Sequence, residues 1–177
     1  MRRGLFQRLR SDERGVSAVE FALIAPLLIF FYMGLAELCQ GYMAQKRMGH
    51  ASAMVADLVA QEESVTAAEV DDIFQIGRLV MRPFSSDTLR QRVSSVTRVN
   101  GVARVDWSRG GGMDALKPGT TVTLPPDLIG NGESVIMSEA TYDYASLADY
   151  FLEGVTLFRH RYFLRPRVTE RTACNNC

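Results

Sequence analysis

From Phe21 to Ala36 the chain reads FALIAPLLIFFYMGLA without a charged side chain, and extending back to Val16 lengthens the apolar run to 21 residues interrupted only by Glu20. Roughly 20 such residues, at about 1.5 Å each, cross a hydrocarbon core about 30 Å thick. The following stretch, ELCQGYMAQKRMGHASAMVADLVAQEE, holds no proline, and Met48, Ala51, Val55, Leu58 and Val59 recur at helical spacing. The pattern predicts one helix of about 45 residues from Val16 to Gln61, roughly 70 Å long. Its first half, about 16–38, is apolar on every side, and its second half presents one apolar stripe.

The pattern then changes. Ser64 is the expected cap of a second helix with Ala67 and Ala68 in its first turns. Val70, Ile73, Phe74, Ile76, Gly77, Val80 and Met81 form its apolar face, and Pro83 ends it. Early acids (Glu69, Asp71, Asp72) and late bases (Arg78, Arg82) agree with the helix dipole. RVSSVTRV and VARVDWS flank Asn100-Gly101, a pair suited to the positive φ angles of a type I′ turn, so they predict a β-hairpin. RGGGMDALKPGT is expected as a loop, TTVTLPPDLIGNGE as a short strand with a turn-rich connection, and SVIMSEATYDYAS as an alternating strand. LADYFLE predicts a short helix and VTLFRHRYFLRPR a last strand ended by Pro166. The sum is an α+β fold, in which a long N-terminal transmembrane helix continues into a head with a four- or five-stranded antiparallel sheet packed on helices. Residues 1–15 form a basic leader, 16–61 the helix and 62–177 the folded domain with its tail.

Charge orients this arrangement. The 177 residues balance to zero, but residues 1–15 carry five arginines against Asp12 and Glu13, hence +3, leaving −3 for the rest. A basic head before an apolar run holds its own side in the cytoplasm, so the domain is expected outside, in the periplasm of a two-membrane bacterium. No general basic face accompanies the neutral balance, which argues against nucleic acid as a partner. Gly34-Leu35-Ala36 also fits a signal-peptidase site; cleavage there would release a periplasmic binding or enzymatic module. An uncleaved single-pass anchor of an envelope complex is a further alternative. The helical continuation past residue 36 favours a retained segment.

Candidate chemistry is sparse. Cys174 and Cys177, in CNNC, are placed to close a disulfide in an oxidising compartment, and the pair lacks the strand-to-helix setting of a thioredoxin motif. With Cys39, His50 and His160 as the remaining soft ligands, no metal or other cofactor is expected. Two isolated histidines and serines without a nucleophile elbow point away from an enzyme, and the Gly110–Gly112 run lacks the Lys-Ser/Thr of a phosphate loop. Adjacent Asp71 and Asp72 are expected to be solvated. The aromatic residues Tyr142, Tyr144, Tyr150, Phe151, Phe158, Tyr162 and Phe163 suit a core and sheet face. Arg159, Arg161, Arg165 and Arg167 suit a strand's wet face, with anionic headgroups or a protein partner as the alternative.

Glu20 is the position that asks for a reason, because a carboxylate in a membrane helix is costly away from the interface. It is either hydrated at headgroup depth near the helix dipole, or paired with a cation. A cut after Gly15 would create one, the Val16 amine, four residues away. RGVSAVEFALIAPLL resembles the amino-terminal signature of TadE-like proteins, pseudopilins of tight-adherence (type IV) pilus systems, with Gly15 before the cut, Glu20 at the fifth mature position, Phe21 after it and Pro26 within the apolar segment. The likeness continues more loosely to about Ala56. It implies removal of residues 1–15 by a prepilin peptidase, between Gly15 and Val16, and retention of the helix as anchor and then as packing surface between subunits. Glu20 and Phe21 would set subunit register, and Pro26 would kink or loosen the helix. The implied partners are prepilin peptidase, other pilins and pseudopilins, the inner-membrane assembly machinery and membrane lipid. The implied role is a minor pilin in the bacterial inner membrane, N-terminus cytoplasmic, with a pilin-like head.

Overall fold

A computed structural model describes residues 15–145 and 157–177. The expected LADYFLE helix, the aromatic pair Tyr150 and Phe151, and the arginines of the leader lie outside the described residues. The elements run α1 (Val16–Ala60), β1 (Ser64–Val65), α2 (Ala67–Val80), β2 (Arg90–Val99), β3 (Val102–Gly111), β4 (Ser134–Asp143), β5 (Leu157–Leu164) and β6 (Ala173–Cys174). The chain divides into two compact units, one up to Gln40 and one from Gly41 onward.

In the first unit α1 is a continuous helix through Pro26. The expected loosening does not interrupt it, because neighbouring turns keep their own hydrogen bonds when one donor is lost. Its large apolar side chains, from Val16 to Leu38, are exposed.

The second unit is an α+β head. The last third of α1 buries Ala44, Met48, Ala51, Ser52, Val55, Ala56, Val59 and Ala60 at spacings of three and four, one face of a helix. The small residues in that stripe let the sheet approach closely; Ser52 donates to the Ser138 hydroxyl at 3.1 Å. Val55, Ala56, Val59 and Ala60 pack with Val65, Val70, Phe74, Val93, Trp107 and Ile136 into one core cluster. Further down α1, Ala44 and Met48 join Met81, Leu89, Ala140, Tyr142 and Tyr144.

α2 begins at Thr66 rather than at Ser64, which is paired in β1. The reason is a capping box: Glu69 N–H donates to Thr66 Oγ1 at 3.3 Å while Thr66 N–H donates to the Glu69 carboxylate at 2.8 Å. The helix ends at Val80, ahead of Pro83, and Arg47 donates to the Val80 carbonyl.

The main sheet is antiparallel with strand order β3-β2-β4-β5. Asn100 (φ 51°) and Gly101 (φ 80°) form the expected turn between β2 and β3. β3 runs on through Gly111, so the first part of RGGG is strand rather than loop. Gly110 fits because a Cβ there would meet the Met113 carbonyl oxygen at 1.8 Å. TTVTLPPDLIGNGE contains no named strand; Thr121 makes an isolated bridge to Arg104. This segment instead lays Leu116, Val122, Leu124, Leu128 and Ile129 against Val96, Ala103, Val105, Val135 and Met137, covering the sheet face opposite the helices. β4 is therefore buried on both faces from Ser134 to Ala140, in place of the alternation expected of it. β5 is not the last strand: β6 pairs in parallel with β1 as a small second sheet.

Candidate functional site

Val16 opens α1, and Glu20 stands four residues on, one turn away on the same face. Both are exposed, as is Phe21 at 72 %. Glu20 lies just beyond the first turn, which contains no acid. The dipole's stabilisation fades within that turn, so it is a weak reason for the carboxylate. Among the described residues, apart from its immediate chain and helix neighbours, no atom lies within 4 Å of where a side chain on Gly15 would start. From Val16 to Leu35 every residue except Ala25 is exposed, and Glu20 is the charged one among them. Such a surface is long and apolar enough to cross a membrane.

The tail closes on the start of α2. Cys174 and Cys177 are joined by a disulfide with their Cα atoms 5.7 Å apart. Within the loop that it closes, Asn176 Oδ1 accepts the Ala67 N–H at 2.7 Å, satisfying one of the free donors at the head of α2. Thr172 receives the Trp107 indole N–H on its carbonyl at 2.8 Å. Cys39 is free and exposed on α1. His50 and His160 share a groove with Tyr42, Lys46 and Tyr162. Among the described residues no group of three or more His, Cys, Asp or Glu is placed to hold a metal.

Tertiary pairing uses charges that had been assigned to wet surface. Arg109 donates to both Asp71 oxygens, at 3.0 and 2.6 Å, and this holds the Asp71 carboxyl below its ordinary value and the guanidinium above its own. Asp71 is thus engaged, and Asp72 is the exposed member of the pair. Arg161 donates twice to Glu139 Oε1 (3.0 and 2.8 Å), while Arg92 donates twice to Oε2 (2.8 and 2.6 Å). Glu139 is 7 % exposed, a buried acid held between two strands' arginines. Arg165 pairs with Glu133, and Arg167 with Asp57. The acids that meet Arg161, Arg165 and Arg167 lie 22, 32 and 110 residues away along the chain, so no local spacing announces these pairs. Tyr142 and Tyr144 are buried as expected, and Phe158 and Phe163 are half-buried. Tyr162 is exposed. Burial, with Asp87 and Asp143 adding to it, raises the Tyr142 hydroxyl above its ordinary value.

The family model of TadE-like proteins matches residues 15–57. No curated protein and no solved structure matches the chain. The match begins at Gly15, takes in Val16, Glu20, Phe21 and Pro26, and ends at Asp57, after the α1 stripe has entered the head core. Over residues 15–57, which take in the membrane-capable part of the N-terminal helix, this chain is similar to TadE-like proteins.

Proposed function

We propose that this protein is a non-enzymatic minor pilin, held in the bacterial inner membrane by α1 with its head in the periplasm, and trimmed by a prepilin peptidase between Gly15 and Val16. The new Val16 amine and the Glu20 carboxylate then form an ion pair between neighbouring subunits, which sets axial register as helices move from lipid into a bundle. Register is the use for which buried ionic groups are best attested. The single observation that carries this reading is one carboxylate, a turn from Val16, on an otherwise uncharged and exposed helix surface within the TadE-like match. The partners are the peptidase, other pilins and the assembly machinery.

Amino-terminal mapping in cells with and without a prepilin peptidase tests the cut. A start at Val16 that depends on the peptidase is expected. A start at Glu37 would make the segment a discarded export signal, and retention of Met1 or Arg2 would make it an uncleaved anchor; either result ends the proposal.

A further inference from the structure

On the sheet face turned away from α1, β2, β4 and β5 align two rows of side chains. In the first, Arg92, Glu139 and Arg161 stand in register, and each arginine grips one carboxylate oxygen. Two residues along, and therefore on the same face, Arg90, Thr141 and Arg159 stand in register. This second row repeats the first with its central acid replaced by a hydroxyl. Arg90 and Arg159 are exposed, and neither has a hydrogen-bond or ion-pair partner among the described residues. The neighbouring row demonstrates that two arginines flanking the β4 position can clasp a carboxylate with four charge-assisted bonds. The second row is the same clasp without its acid.

The same head carries unpaired acids at its other end. Thr141 lies beside Tyr142, which packs with Ala44 of α1. Glu62 and Glu63 follow the last turn of α1, beyond Ala60. Ala44 and Ala60 are separated by about 24 Å of helix. Glu62 and Glu63 are exposed, and their main-chain carbonyls are tied down by Thr172 Oγ1 (3.2 Å) and Ala173 N–H (3.1 Å), while their carboxylates have no partner among the described residues. The turn is thus anchored and its acids are presented outward. Basic sites at one end and acidic sites at the other are complementary between copies stacked head to tail.

We infer that the Arg90–Thr141–Arg159 row is a carboxylate-binding site filled by the Glu62–Glu63 turn of a second copy of this chain. We take the contact to be heterologous, continuing from copy to copy as a fibre subunit requires; a two-fold pair would satisfy the same charges reciprocally and stop at a dimer. It rests on the reading of this protein as a fibre subunit, and gives that role a specific head contact.

The test uses the purified full chain in detergent, with Cys39→Ser removing the free thiol. Ser64→Cys places a thiol beside the acidic turn and Leu157→Cys one beside the arginine row. A short bifunctional maleimide should join a mixture of the two single-thiol chains, and should produce dimers, trimers and longer ladders from the chain carrying both. Arg159→Glu should lower the yield about tenfold, the scale of losing a charge-assisted pair, and adding Glu62→Arg to that chain should restore it. Yield should also fall with salt. No mixed crosslink, products that stop at dimers, or a yield indifferent to charge reversal would overturn the inference. So would loss of phosphatidylglycerol from nanodisc-embedded Arg90→Gln/Arg159→Gln chain without any mixed crosslink, which would make the row a lipid site. Because the readout is chain-to-chain contact in vitro, it is independent of where the mature chain begins.

Discussion

At the scale of single residues, the head invests most in Glu139. Its carboxylate is desolvated, and two guanidinium groups compensate for that with four short bonds. Glu139→Ala leaves Arg92, itself largely buried, without its acid. The expected loss is about 3 kcal/mol, the low end for breaking a buried pair, because Arg161 is half exposed and can return to water. Thermal unfolding of the full chain in detergent, followed by Trp107 fluorescence, measures it. Tyr142 supplies a pH test. Its folded value is raised above the ordinary 10.0, so the unfolded chain releases this proton first as pH rises. The stability that it contributes is present below about pH 10 and is lost as pH climbs through the folded value. Tyr142→Phe should flatten the stability decline in that alkaline window; an unchanged slope would show that other groups cause it. Asp71 works at the other extreme: its value is lowered by Arg109, so its contribution is present above its unfolded value near 3.8 and lost as pH falls through the folded one. Both partners are substantially exposed, which keeps that contribution small.

Between elements, α2 lies close against the sheet at Gly77. A Cβ on Gly77 would lie 2.3 Å from Gln91 Oε1 and 3.1 Å from Val55 Cγ2. Gln91 is buried and has its amide committed to the Phe74 carbonyl at 3.0 Å, so it has little room to move aside. Helix propensity favours alanine over glycine by about 1 kcal/mol, whereas overpacking costs about 1–3 kcal/mol. Gly77→Ala should therefore destabilise by about 1 kcal/mol, and a rise in the unfolding midpoint would refute this packing argument. Thr66→Ala removes the capping side chain and should cost about 1 kcal/mol, while Ser64→Ala should cost far less because Ser64 caps nothing. That contrast reads directly on where α2 begins. The sequence pattern pointed to Ser64 alone; the three-residue spacing of Thr66 to Glu69 is the capping-box signal that marks the start of α2.

Across the whole molecule, the helix whose first half is apolar enough to cross a membrane supplies, with its last third, a core element of the head. Met48, Val55 and Val59 are each at most 1 % exposed, and side chains of that kind contribute about 1.5–3 kcal/mol apiece. Together with the alanines beside them they match the whole margin of a domain, about 5–15 kcal/mol. A fragment starting at residue 62 should fail to fold, with Val93 and Ile136 uncovered, whereas one starting at residue 41 should give a cooperative transition by Trp107 fluorescence. Comparable cooperative unfolding of both fragments would mean that the head is complete without α1. The unit that the structure delimits begins at Gly41, some twenty residues before the apparent change of pattern at the end of the helix.

What the sequence by itself determined is whatever depends on neighbours along the chain. An uncharged run of membrane length, a helix continuing without proline, a turn at Asn100-Gly101 and one acid a turn from Val16 all follow from spacing over a few residues, and that is why the TadE-like segment was legible. Only the tertiary structure decided which arginine meets which acid, that β4 is covered on both faces, that residues 116–129 form a covering layer, and that β6 returns to pair with β1. Those contacts join positions tens of residues apart, and strand register is set by the packing of both sheet faces at once. No local pattern contains that information.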